Sequence, residues 1–344
     1  MKAPPGRSGY SMPAEGAPHR ATWIAWPHNK SDWPGKFEPI PWAYGEIVRV
    51  LSRHERVCIL VQTPAARSAA KALLKKVGVD LTKVDFFPIP TDRVWTRDSG
   101  AIFVTDGKGG KIATHWKFNG WAKYPNHKRD DLVAPRIARA LKLPEYPVLV
   151  GDREIVMEGG AIDVDGQGTL MATEECLLDK VQARNPGLGR EGIERVFGEV
   201  LGIRRVVWLE KGIAGDDTHG HIDDLARFVA PGRVLLCQEL NAKDANYRPL
   251  QVNRERLTSE KMDVIPLPMP SPLIFDGQRV PASYANYYIA NGTVIVPTFN
   301  DPQDRAALGI LADCFPDREI VGIHCVDFVW GLGTLHCATQ QEPA

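Results

Sequence analysis

A chain of 344 residues with 44% hydrophobic residues can bury one large core or two ordinary ones. Lys plus Arg equals Asp plus Glu at 42 each, so no global field favours nucleic acid or an anionic membrane. No run approaches the roughly eighteen apolar residues of a membrane span, the first twenty residues lack a signal-like apolar stretch, and six scattered cysteines contain no C-x-x-C pair. The cysteine pattern argues against a zinc site and fits the reduced thiols of a cytoplasmic protein.

In chain order, residues 1–20 read as a loose arm rich in Pro and Gly, followed by a single domain over 21–344. "TWIAWP" (22–27) and "RVCILV" (56–61) have the apolar character of buried strands, while "WAYGEIVRVLSRH" and "PAARSAAKALLKKVG" have helical periodicity. "DDLVAPRIARALKL" predicts a helix that Pro135 bends or shortens. "REGIERVFGEVLG" predicts an amphipathic helix ending at Gly202. "DPQDRAALGILADCF" predicts one capped by Asp301, with Pro302 in the first helical position. Strand pairs with Gly or Pro at the turn fill the intervals, as in "AIFVTDGKGGKIATHW" and "LARFVAPGRVLLCQ". The class is mixed α/β.

A short polar-and-glycine motif beside an apolar strand recurs at "RDSGAIFV", "EGGAIDVDGQGTL", "GHIDDLARFV" and "NYYIANGTVIV". Asp98 to Glu158 is 60 residues, Glu158 to His221 is 63 and His221 to Asn286 is 65. That period predicts repeated strand–helix units, with room for about five if "TWIAWP" opens the first and the "HCATQ" tail closes the last.

The acids Asp98, Glu158, Asp217 and Asp223 each sit beside glycine or at a strand edge. Converging, they would form a negative pocket in a neutral protein, and two carboxylates can grip a planar guanidinium by paired charged hydrogen bonds. His219 and His221 alternate in "HGHIDD"; if extended, they share one face with Asp223. A metal site there lacks a neighbouring Cys or third His, so pairing of a histidine with a thiol is the better reading. Five of the six cysteines fall in apolar strands or helices. Cys337 differs: in "WGLGTLHCATQQ" glycines permit close backbone approach, which marks it as the candidate nucleophile. His336 beside it would point away on an extended strand.

These stretches resemble the agmatine deiminase and bacterial peptidylarginine deiminase family from about residue 12 onward, in "HRATWIAWPHNKSDWPGK", "TRDSGAIFV", "EGGAIDVDGQGTLMATEECLL", "DDTHGHIDDLARFV" and the closing "HCATQQEP". The resemblance implies the pentein fold, a five-bladed α/β propeller with pseudo-fivefold symmetry. It implies Cys337 as nucleophile, His221 as general acid and base, and Glu158 as the group that polarises His221. Asp98 and Asp223 would clamp the guanidinium, Asp217 would meet the far amine of agmatine, and Trp95 would pack on the alkyl chain. The implied partner is a small cationic guanidino substrate, with no cofactor, metal, nucleic acid or membrane; a homo-oligomer is left open. Peptidyl-arginine, free arginine, another alkylguanidine, amidino transfer and a non-catalytic pentein module are the alternatives. The chain departs from the usual pattern: "GLGTLHC" stands for "GGGNIHC", and Asp163 stands where a histidine is common.

Overall fold

Turns of two to five residues join antiparallel strands, whereas parallel neighbours need a crossover, and both connections alternate here. The computed structural model describes residues 3–344. In the second unit, Ile102–Thr105 pairs antiparallel with Lys111–His115, the helix Val133–Leu141 crosses over, and Glu145–Pro147 returns parallel. The third unit repeats this order with Asp163–Val164, Thr169–Thr173, the helix Gly189–Leu201 and Arg205–Leu209. The fourth uses Ala226–Ala230, Arg233–Gln238, the helix Tyr247–Ser259 and Asp263–Pro268. The fifth uses Tyr288–Ala290, Thr293–Thr298, the helix Gln303–Cys314 and Glu319–His324.

The first unit is completed by the other end of the chain. His19–Ala25 pairs parallel with Arg56–Leu60 on one side and antiparallel with Gln340–Pro343 on the other. The helix Ile40–Leu51 supplies its crossover, and Val84–Phe87 adds an outer parallel strand. The fold therefore closes on itself, and these five units agree with the pentein architecture expected above. Closure also shields the inner strand edges.

The expected helices form with small shifts. Thr63 caps the helix Pro64–Lys76 by accepting from Ala66 N, with Pro64 in the first turn where no N–H is needed. The expected helix at 130–143 opens with a 3₁₀ turn, Asp130–Leu132, and becomes α-helical from Val133, so Pro135 falls in the first turn and does not bend it. Gly202 ends the third unit's helix at φ 71°. Asp301 does accept from Gln303 N at 2.8 Å, but Pro302 lies just before the first helical residue. The helix Tyr247–Ser259 has no counterpart in the sequence reading: its buried residues are only Leu250, Asn253 and Leu257, too sparse and too polar for a clear apolar stripe.

The N-terminal stretch is not loose. It has little regular structure, yet Met12, Glu15 and His19 are buried, and Met12 N donates to Leu201 O at 2.9 Å. The burial of Met12 joins it to the apolar cluster of the second and third units.

Candidate active site

Five segments that lead into the first strand of each unit carry the polar groups of one site. Asp98 lies on the single helical turn Thr96–Ser99 ahead of Ile102–Thr105. Glu158 precedes the 3₁₀ turn Gly159–Ala161, and His221 precedes Ile222–Asp224, which holds Asp223. Asn286 stands just before Tyr288–Ala290, and Cys337 just before Gln340–Pro343. The recurrent spacing in the sequence is thus the repeat of one structural position.

The local backbone corrects two expectations. The stretch at 219–221 is not extended: His219 and Gly220 have φ of 65° and 92°. The turn sends His219 toward Asp179, 3.9 Å away, while His221 is fully buried at the site. Cys337 likewise lies in a turn, with Ala338 N donating to Thr334 O and Thr339 N to His336 O. The extended strand that would turn His336 away from the thiol is therefore absent, and the His336 ring and Cys337 Sγ both reach Asp223 Oδ2, at 2.7 and 3.7 Å.

His221 Nδ1 is 3.8 Å from Asp98 Oδ1 and 3.9 Å from Asp223 Oδ1, and its Nε2 is 3.6 Å from Glu158 Oε2. Among the described residues, neither ring nitrogen has a hydrogen-bond partner, nor does Asp223 Oδ1. Asp98 is aimed by two donors: Trp121 Nε1 at 3.0 Å on Oδ2 and Gly160 N at 3.0 Å on Oδ1. Cys337 Sγ lies 3.7 Å from Asp223 Oδ2 and accepts from Asn286 Nδ2 at 3.1 Å. Asn286 also donates to Asp224 Oδ1 at 2.9 Å, and its Oδ1 accepts from Thr334 Oγ1 at 2.7 Å and His336 N at 3.0 Å. Asn286 therefore pins the thiol-bearing turn. Its place in the sequence period pointed to it, but an amide carries no charge that would mark it as chemistry.

The electrostatics divide the carboxylates by role. Burial raises Asp98, and although His221 offsets this, nearby Asp223 and Glu158 help hold it at about 6. Burial also opposes the charge on Glu158, yet Arg184 and His221 outweigh it and hold Glu158 at about 2. Burial opposes a cation at His221, but Asp98, Cys176 and Glu158 carry it well above the imidazole range. Burial, then Asp223, Asp224 and Asp98, push the Cys337 thiol far up, and Asn286 works the other way. Arg184 has no place in the sequence reading, because "ARNPG" looks like a solvated loop.

A cleft of about 190 Å³ opens onto Asp98 and Cys337 and is walled by Trp95, Trp121, Tyr124, Trp330 and Leu332. Trp95 does face the cleft while packing on Trp33 at 5.6 Å between rings. Gly333 is needed there: a Cβ would lie 3.0 Å from the Trp95 ring and 3.2 Å from Cys337 Sγ. Asp217 lines the mouth but is not free, since Lys123 Nζ pairs with its Oδ1 and Tyr124 Oη donates to its Oδ2 at 2.6 Å. An amine arriving at Asp217 meets a carboxylate that already has a cation. Ligand atoms of Glu158, Cys176 and His221, and of Asp223, Asp224 and Cys337, lie within 4.8 Å of one another, so either triad has donors for a metal ion.

Comparison with known proteins places these features in a family. A family model described as Porphyromonas-type peptidyl-arginine deiminase matches residues 11–343. The chain is 35% identical to an agmatine deiminase of Stutzerimonas stutzeri, covering all of this chain and 98% of that one. It is 34% identical to an agmatine deiminase of Ectopseudomonas mendocina, covering 99% and 97%. Among solved structures, agmatine deiminase of Enterococcus faecalis superposes with a TM-score of 0.91 at 30% identity, covering all of this chain and 98% of that one. Full-length similarity in sequence and fold, around a site built from one residue position repeated in every unit, shows that this chain belongs to the Porphyromonas-type peptidyl-arginine deiminase family.

Proposed function

We propose that the protein hydrolyses agmatine to N-carbamoylputrescine and ammonia through a covalent thiouronium on Cys337, with residues 21–344 as one catalytic domain. The observation that carries this reading is the cleft floor: Asp98 and the unpartnered Asp223 Oδ1 both flank His221, with the Cys337 thiol 3.7 Å from Asp223. Two carboxylates fix the plane of a guanidinium and hold its carbon over sulfur. The relatives named agmatine deiminase supply the choice of substrate. Six free cysteines, four of them in apolar strands and helices, fit a reducing cytoplasmic setting.

The thiolate of Cys337 attacks the guanidinium carbon and gives a tetrahedral adduct. His221, an imidazolium in this field, protonates the departing nitrogen, and ammonia leaves. Neutral His221 then takes a proton from water, hydroxide attacks the S-alkylthiouronium, and the C–S bond breaks as the adduct's hydroxyl proton passes to solvent, giving the ureido product and thiolate. Glu158, anchored by Arg184, holds the cationic form of His221. Trp95 flanks the alkyl chain. The bound cation offsets Asp98 and Asp223 and so favours the thiolate that the empty site disfavours.

The test is ammonia and ureido product from agmatine, with Cys337→Ser inactive yet folded. Full turnover by Cys337→Ser would refute the mechanism. One observation favours a second substrate: Lys123 on Asp217 occupies the amine acceptor, which suits a guanidino compound whose far end carries no ammonium. A screen of guanidino compounds with uncharged, cationic and anionic tails decides between them.

A further inference from the structure

Buried groups outside the proposed chemistry converge on one of its parts. His336 lies between two carboxylates, with Nδ1 2.7 Å from Asp223 Oδ2 and Nε2 2.6 Å from Glu15 Oε2. An ionised carboxylate only accepts, so with both partners ionised each ring nitrogen is placed to donate. The side chains of all three are at most 5% exposed. Glu15 is itself held: Oε2 accepts from Arg97 Nη2 at 3.1 Å, Oε1 accepts from Ile289 N at 2.8 Å, and Arg227 Nη2 lies 2.9 Å from Oε1. Arg227 in turn reaches Asp163 Oδ1 at 3.4 Å. Three acidic side chains, Glu15, Asp163 and Asp223, thus face two guanidinium groups, Arg97 and Arg227, and the His336 ring. Burial of charge is tolerated where each charge is paired.

The consequence falls on Asp223. His336 occupies its Oδ2, and its Oδ1 is left without a partner, 3.9 Å from His221 Nδ1. Cys337, Asp98 and Asp224 also face it, and after burial the groups that favour its charge are His336 first, then His221 and Arg227. We propose that Glu15 and His336 are positioning residues: Glu15 holds His336 as an imidazolium, and that imidazolium keeps Asp223 ionised with Oδ1 turned to the guanidinium. The N-terminal segment is then part of the active site. This rests on the reading of Asp223 as a guanidinium clamp.

Ammonia release by the wild-type enzyme is measured first, because its failure overturns the clamp reading and not the geometry of His336. Glu15→Gln, isosteric but neutral, and His336→Gln should each lower kcat/KM for agmatine about 10–100-fold, chiefly through KM. The double variant should lose no more than the worse single one, because the two act as a unit. Glu15→Asp, which keeps the charge, should recover most of the loss. Wild-type KM in Glu15→Gln, or losses that multiply in the double variant, would overturn the proposal. A second arm needs no variant to be active: 15N NMR of ring-labelled wild-type enzyme should show a buried histidine protonated on both nitrogens whose signals His336→Gln removes. A doubly protonated set that is unchanged in His336→Gln overturns the imidazolium.

Discussion

Arg184 Nε lies 3.1 and 3.3 Å from the two oxygens of Glu158, and both side chains are wholly inaccessible to solvent. The pair is a support placed behind His221 rather than a surface bridge. Arg184 also donates to Gln182 O at 3.0 Å and Thr218 O at 2.6 Å, which ties the 182–185 loop to the segment before His221. Removing one partner of a buried pair strands the other charge, so Arg184→Met should cost about 3–5 kcal/mol in denaturant unfolding. The charge of Glu158 stabilises the fold above the ordinary carboxylate range and is lost as pH falls toward about 2. In Arg184→Met that support should vanish at higher pH, so acid unfolding should begin earlier. An unchanged acid midpoint would count against it.

Gly160 admits no side chain. A Cβ there would lie 2.5 Å from His221 Nδ1 and 2.8 Å from Asp98 Oδ1. Its N–H also aims Asp98. Gly160→Ala should displace both and reduce kcat/KM by roughly 100-fold or more, in line with misplacement of reacting groups. Circular dichroism should stay native. Retained activity would show that the site tolerates a methyl group where the geometry leaves none.

Asp98 must be a carboxylate to grip a cation, and it is held up at about 6 by burial with Asp223 and Glu158 close by. Above that pH it is charged; as pH falls through about 6 it takes up a proton and the clamp weakens. kcat/KM should therefore fall on the acid side with an apparent pKa of about 6. Trp121→Phe removes the donor on Oδ2, raises the carboxyl further and should move this limb to higher pH. A limb that stays in place in Trp121→Phe would detach it from Asp98.

The Cys337 thiol is pushed up by burial and by Asp223, Asp224 and Asp98. Iodoacetamide should modify it slowly at neutral pH and faster as pH rises. A non-reacting guanidinium analogue neutralises two of those carboxylates, so it should shift the alkylation profile to lower pH at subsaturating occupancy. Equal profiles with and without the analogue would remove substrate assistance from the mechanism.

Lys123 and Asp217 pair at the cleft mouth with side chains 43% and 17% exposed. Exposed pairs contribute about 0.2–1 kcal/mol, so an incoming amine can displace Lys123 at modest cost. Lys123→Met should raise kcat/KM for agmatine a few-fold relative to butylguanidine, and Asp217→Asn should lower that ratio. An unchanged ratio in both variants would place the amine elsewhere.

Much of this protein was legible in its residues. The period linking Asp98, Glu158, His221 and Asn286 reports the repeated unit because each unit reuses one position, the segment entering its first strand. Five of the proposed groups, Asp98, Glu158, His221, Asp223 and Cys337, stood out because charge and nucleophilicity beside glycine are visible in a string of letters. The helix Tyr247–Ser259 stayed hidden, since its buried face holds Asn253 between two leucines.

Other features were settled only in three dimensions. Glu15, Arg97, Arg184, Arg227 and His336 are ordinary charged residues in sequence, and nothing local tells which are buried or paired. Their partners lie up to 321 residues away, as Glu15 does from His336. Asp217 was legible as an acid but not as one already engaged by Lys123. The sequence by itself determined the repeat and the mixed α/β class and marked the groups proposed to react, because periodicity and side-chain chemistry are local properties. Tertiary structure decided which charges neutralise one another, because pairing depends on distance after the last strand closes onto the first.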